Sequence, residues 1–169
     1  MGAPRVAGAH VARWTALRGL ALAVLAWGAS SCSRDPGTGP VPVAWDQAAC
    51  ERCRMVLSNR RFAVEVRLRP NDPAHTFDDL GCAVVWLTQQ PGGVKGAAEV
   101  WVMDNQDGRW VEGRKAYYVA ADHTPMRYGL AALTEPAPGS IGFAAATRLV
   151  LERDRQLYDG VRFGPPPAR

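Results

Sequence analysis

Alternating apolar and polar positions predict the strands of this chain. In residues 62–68 every second position is apolar, and Glu65 and Arg67 stand between them, as in an antiparallel strand with one buried face. The segment Glu99–Met103 is rich in β-branched and aromatic residues and predicts a second strand. Two further strands are predicted around residues 110–111 and at Tyr117–Ala120.

Apolar positions at helical spacing predict two helices. The first is expected to begin after a capping Asp78 or Asp79 and to run to about Gln89. Its apolar positions are Leu80, Val84 and Leu87, and those of the second helix, expected from Ser140, are Ile141, Ala144, Ala145 and Leu149. This order predicts an α+β fold of two small ββαβ-type lobes, about 44–104 and 105–158, with mainly antiparallel sheets each packed on a helix.

The N-terminus indicates export. Residues 1–31 contain three arginines and no acidic residue, then an apolar run at 19–29, then small residues before Cys32. The run is shorter than the about 20 residues that a membrane-spanning helix needs, so residues 1–31 are predicted to be a lipoprotein-type signal peptide. Lipidation of Cys32 would anchor the protein to a bacterial membrane from the periplasm, and Ser33 favours the outer membrane. The alternative is ordinary cleavage, which leaves Cys32 as a free thiol.

Composition and charge indicate how the rest of the chain is divided and which class of partner it has. Of the 169 residues, 47% are hydrophobic, which is enough for a core. Residues 32–43 are predicted to be a flexible tether, 44–158 the globular part and 159–169 a disordered tail. The chain has 20 basic and 16 acidic residues, and loss of the three signal-peptide arginines leaves 17 basic against 16 acidic. A nucleic-acid partner is therefore not expected, since it would require a clustered basic face.

Sulfur donors are concentrated in one short segment. Cys50 and Cys53 are two residues apart, and Met55 follows. Two thiolates and a thioether are soft, polarisable ligands, a set that selects copper(I) over calcium, magnesium or zinc. We expect Cys53 and Met55 to be the primary ligands, with Cys50, Met126 or His123 completing the site.

Other interpretations of these cysteines remain open. A disulfide could join Cys53 to Cys50 or to Cys82, and a zinc site would need Cys82 as a further thiol. Cys50 and Cys53 could also act as a thiol-disulfide pair, whereas Arg54 after the second cysteine excludes haem attachment. Cys82 could be a small buried residue on its helix or a thiolate favoured by the helix N-terminus. No catalytic triad, phosphate-binding loop or paired acid site is evident, so we do not expect an enzyme.

Several motifs occur in a specific order along the chain. They are the lipoprotein-type signal, Cys-x-x-Cys-x-Met at 50–55, Phe-Asp-Asp-x-x-Cys at 77–82, Trp-Val-Glu-Gly-Arg-Lys-Ala-Tyr-Tyr-Val at 110–119, Pro125-Met126 and Gly129. This set, over about residues 50–146, resembles the NosL family of copper lipoproteins. The resemblance implies a copper(I) chaperone outside the cytoplasmic membrane that delivers copper for the copper centre of nitrous oxide reductase, together with an ABC-type transporter.

The resemblance also bears on particular residues. The cysteine and methionine of the family motif correspond to Cys53 and Met55. Family members commonly have Cys-Gly-Met there, whereas this chain has Arg54 between the two ligands. They usually have Met-Gly in the later loop, where Arg127 follows Met126 here. Both departures replace a glycine by an arginine.

Overall fold

The computed structural model describes residues 35–159. This part of the chain is an α+β fold with two antiparallel sheets, of four and three strands. The predicted signal peptide, Cys32 and the last ten residues of the predicted tail lie outside the described residues. Between residues 35 and 159, no helix combines the length and the apolar character that a membrane crossing requires.

The first sheet has the strand order β2-β1-β3-β4, with every neighbouring pair antiparallel. Its strands are β1 (Val64–Arg67), β2 (His75–Phe77), β3 (Glu99–Met103) and β4 (Trp110–Glu112). Helix α1 (Leu80–Thr88) follows β2 and packs on β1 and β2, and the one-turn helix α2 (Gly93–Gly96) leads into β3. This sheet therefore extends to Glu112, past the boundary predicted at residue 104, because β4 turns back to pair with β3.

The second sheet has β5 at its centre. Its strands are β5 (Tyr117–Ala120), β6 (Leu130–Leu133) and β7 (Ile141–Gly142), and they are followed by helix α3 (Phe143–Tyr158). Helix α3 packs on α1 and on β5. It begins at Phe143 and not at Ser140, because Ile141 and Gly142 pair with β5. The predicted α+β fold with two small lobes is confirmed, and the second lobe has the order of three strands followed by a helix.

Both faces of β1 are buried, contrary to the prediction of one exposed face. Glu65 and Arg67 are each 1% exposed. The Arg67 guanidinium donates to Asp35 Oδ1 at 2.6 Å and to Gly39 O at 2.9 Å, and Glu65 Oε2 accepts a hydrogen bond from Val41 N at 2.8 Å. Residues 35–41 are therefore packed on the sheet, and the predicted tether is corrected over this range. The physical reason is that buried charges require partners, and this segment provides them.

Helix α1 agrees with its prediction. Leu80, Val84 and Leu87 are buried, and Asp79 caps the helix by accepting a hydrogen bond from Gly81 N at 2.8 Å. The bounds of β3 and β5 also match the predicted segments. Strands β2 and β6 were not predicted, and β2 is important for the site because it leads directly into the residues before α1.

Candidate metal centre

Four side chains converge where the loop around residue 53 meets the start of α1. The ligand atoms of Cys50, Cys53, Asp78 and Cys82 all lie within 4.8 Å of one another. Cys50 and Cys82 have no exposed surface, Asp78 is buried, and Cys53 is half-buried. All three cysteines are free thiols, so the structure contains neither of the disulfides considered from the sequence. Three sulfur atoms and a carboxylate at this spacing could hold a metal ion.

Backbone hydrogen bonds close the loop that carries Cys50 and Cys53. Cys50 N donates to Met55 O at 2.8 Å, and Arg54 N donates back to Cys50 O at 3.0 Å. Glu51 N donates to Thr76 O at 3.0 Å, which attaches the loop to β2. Because β2 runs directly into α1, this attachment also sets the position of the loop relative to Cys82.

The two aspartates before α1 have different roles. Asp79 caps the helix, and its second oxygen accepts a hydrogen bond from Met126 N at 3.0 Å. Asp78 instead faces the thiols, with Oδ2 at 3.4 Å from Cys53 Sγ, within hydrogen-bond distance for sulfur. Cys82 lies in the first turn of α1, where the helix dipole favours negative charge.

The charge state of the cluster follows from its internal hydrogen bonds. Hydrogen bonds from Cys50 and Cys82 lower the pKa of Cys53 to about 4, against the effect of burial. The pKa of Cys82 is raised, first by its hydrogen bonds with Cys50 and Cys53 and then by burial. Burial raises the pKa of Asp78 to about 7. Without a metal, thiolate character is therefore favoured on the half-buried Cys53, and a metal must displace a proton from Cys82.

A buried arginine lies beside the cluster. Arg52 is 8% exposed, and its Nη1 lies 4.0 Å from Cys82 Sγ. The same nitrogen donates to Tyr128 Oη at 2.9 Å, and Nη2 donates to Asp154 Oδ1 at 2.8 Å. The loop between the two cysteines is thereby joined to α3 through Asp154.

The remaining predicted ligands are placed differently. Met55 is 48% exposed, and its backbone N–H donates a hydrogen bond to the Cys53 sulfur. Met126 is 6% exposed and packs in the core. His123 is exposed beside a surface cavity that Arg127 and Arg153 also line, and it is not one of the four clustered residues. The structure thus brings the predicted Cys50 and Cys53 together, does not bring His123 to them, and leaves the two methionines as predictions.

Arg54 and Arg127 share one backbone conformation. Arg54 has a φ of 66° and Arg127 a φ of 61°, both in the left-handed region. Glycine adopts this region freely, whereas a side chain with a Cβ is strained there. Glycine at either position would therefore fit the observed backbone better than the arginine does.

Sequence reasoning missed Asp78 as a member of the cluster and left the role of Cys82 open. The motif Phe-Asp-Asp-x-x-Cys at 77–82 contains both residues, and its position at a helix start was the available signal. What the sequence could not show was β2, whose pairing brings this motif to the loop of Cys50 and Cys53.

Comparison of the chain with models of known protein families, with characterised proteins and with solved structures gave no significant match.

Proposed function

We propose that this protein is an exported, membrane-anchored copper(I) chaperone that supplies copper for assembly of the copper centre of nitrous oxide reductase. The observation that carries the proposal is the group of three free thiols whose ligand atoms, with that of Asp78, lie within 4.8 Å of one another. The ordered motifs that resemble NosL proteins support the specific acceptor and the partnership with an ABC-type transporter. The predicted lipidation at Cys32 supports the membrane location.

Copper(I) suits this ligand set better than zinc. Copper(I) is stable with two or three thiolates, whereas a zinc site usually completes a tetrahedron of four ligands. The fourth group here is Asp78; burial raises its pKa to about 7, so part of the population carries a proton on Asp78 near neutral pH and then offers no anionic ligand. A protonated Asp78 would instead donate a hydrogen bond to a ligand sulfur. Three thiolates then remain as the metal ligands.

Release of copper to an acceptor requires a route from the site to solvent, and Cys53 provides one. It is the half-buried member of a set whose other two sulfurs belong to residues with no exposed surface. Met55, 48% exposed, follows on the same loop. We propose that an acceptor ligand approaches copper from the side of Cys53 and Met55, while Cys50 and Cys82 release it last. A lipid anchor would confine the donor to a membrane surface facing the periplasm and so restrict the volume in which it meets its acceptor.

A transfer experiment tests the proposal. The copper(I)-loaded protein is mixed anaerobically with copper-free nitrous oxide reductase, its transporter and a source of sulfide for the bridged cluster, and the appearance of the reductase's copper centre is followed by its absorbance. We expect the centre to form with the wild-type chain and not with Cys53→Ser. Formation at the same rate with free copper(I) in place of the loaded protein would contradict a chaperone role.

A thiol-disulfide protein is the second candidate, because the low pKa of Cys53 makes it a reactive thiolate. Cys53 would attack a substrate disulfide, and Cys50 or Cys82 would then displace the second substrate thiol, so the protein is oxidised to a disulfide and the substrate reduced to two thiols. The metal-free reduced protein should then reduce a model disulfide peptide, with loss of activity in Cys53→Ser. No reduction above the rate with Cys53→Ser would remove this candidate.

A further inference from the structure

We infer that Arg52 is a positioning residue that compensates the negative charge of the metal centre and so allows all three cysteines to bind copper(I) together. This inference rests on the proposed copper function. It concerns the residue between the two loop cysteines, which is not itself a metal ligand.

Geometry places the arginine's charge at the cluster. Nη1 of Arg52 lies 4.0 Å from Cys82 Sγ, and Cys82 belongs to a set whose ligand atoms all lie within 4.8 Å of one another. Arg52 is 8% exposed, and Cys82 has no exposed surface, so water screens this interaction little. Arg54, two residues further on, has a 41% exposed side chain and pairs with Glu51 at 3.8 Å.

The charge of the loaded site explains the need for a cation. Three thiolates and one copper(I) ion have a formal charge of −2. Without a nearby cation, that charge in a buried site is costly, and the cost falls if one cysteine stays protonated and does not bind. A buried guanidinium at 4.0 Å therefore favours three-sulfur coordination over two-sulfur coordination.

The surroundings of Arg52 hold its guanidinium in place. Tyr128 Oη accepts from Nη1 at 2.9 Å and Asp154 Oδ1 accepts from Nη2 at 2.8 Å, while the guanidinium carbon lies 5.8 Å from the centroid of the Tyr158 ring. Asp154 offsets part of the positive charge. It is, however, 21% exposed, so solvent screens its charge more than that of Arg52.

The experiment compares variants that separate charge from structure. Arg52→Met and Arg52→Gln remove the charge, and Gln retains hydrogen-bonding capacity. Arg52→Lys keeps the charge, and Arg54→Met removes an exposed charge from the same loop. For each full-length protein, copper(I) affinity is measured anaerobically by competition with a chromogenic chelator at low and high salt. X-ray absorption gives the number of sulfur ligands, and thermal unfolding of the metal-free protein reports folding.

We expect the neutral Arg52 variants to lose about 30-fold in copper(I) affinity at both salt concentrations and to change from three sulfur ligands to two. Arg52→Lys should retain three sulfurs and bind within about 5-fold of wild type, and Arg54→Met within about 3-fold. The copper(I) affinity and sulfur count are judged on a neutral variant, Arg52→Met or Arg52→Gln, whose cooperative thermal unfolding shows that it is folded.

Two results would overturn the inference: three sulfurs with unchanged affinity in a folded neutral variant, or a loss in Arg52→Lys as large as in Arg52→Gln. Failure of the wild-type protein to bind copper(I) would instead contradict the proposed function, so the two failures are distinguishable.

Discussion

Arg54 offers a direct test of how the metal loop is built. Its φ of 66° is left-handed, and a residue with a Cβ in that region pays about 1–2 kcal/mol. Arg54→Gly removes this strain, but glycine's greater freedom in the unfolded chain lowers the free energy of unfolding by about 0.4–1 kcal/mol. The ion pair with Glu51, at 3.8 Å and with Arg54 41% exposed, contributes little. Arg54→Ala is the matched control, because it removes the same side chain and keeps the strain.

We expect Arg54→Gly to exceed Arg54→Ala in unfolding free energy by about 0.5–1 kcal/mol. The assay is urea denaturation of the reduced, metal-free protein, followed by far-UV circular dichroism. Copper(I) affinity should stay within about 3-fold of wild type, because the Arg54 N–H that donates to Cys50 O is present in both variants. Equal or greater stability of Arg54→Ala would refute the argument that the loop holds a strained arginine where glycine fits.

Three further predictions concern other parts of the molecule. Glu65 is 1% exposed, and burial raises its pKa to about 7. Between about pH 4.5 and 7 the folded state binds one more proton than the unfolded state, so the free energy of unfolding falls as pH rises through this range. In urea denaturation, Glu65→Gln should be more stable than wild type by about 2 kcal/mol at pH 8 and by little at pH 4.5. An equal gain in stability at both pH values would refute the raised pKa. Gly81→Ala would drive a Cβ into the Tyr128 ring and should cost about 2–3 kcal/mol in the same assay, whereas Gly142→Ala, with open space around it, should cost less than about 1 kcal/mol. Because the pKa of Cys82 is raised, copper(I) must displace its proton, and the apparent affinity should rise at least about tenfold per pH unit between pH 6 and 8; a flat profile would show that Cys82 does not bind as a thiolate.

The spacing of apolar residues and the position of capping residues predicted those strands and helices that are determined by nearby residues. The strands β3 and β5 and a cap of α1 by one of two adjacent aspartates follow from residue type and spacing, and the structure has them at the predicted places. The failures involve contacts that are distant in sequence. Glu65 and Arg67 look like an exposed strand face until Asp35 and Val41 pack over them. Strand β6, Leu-Ala-Ala-Leu, has no alternation to mark it.

The candidate site likewise has one part that nearby residues predict and one part that depends on contacts distant in sequence. The spacing of Cys50 and Cys53 was sufficient to predict that their side chains lie close together. Cys82 joins them because β2, a three-residue strand without a strong pattern, pairs with β1 and positions the start of α1. The roles of the adjacent aspartates, one a helix cap and one facing the thiols, depend on the direction of each side chain, which the sequence does not encode locally.

Copper(I) binding by the three cysteines is tested most directly by an anaerobic copper(I) titration of the reduced protein from residue 32 onward, with Cys32 replaced by serine. A competing chelator reports affinity and stoichiometry, and single serine variants of Cys50, Cys53 and Cys82 are titrated in parallel. We expect one copper(I) per chain and a loss of affinity of at least about 100-fold in each variant, since each removes one of three thiolates. No competition with the chelator by the wild-type protein, or a Cys82 variant that binds as tightly as wild type, would contradict copper(I) binding by the three cysteines.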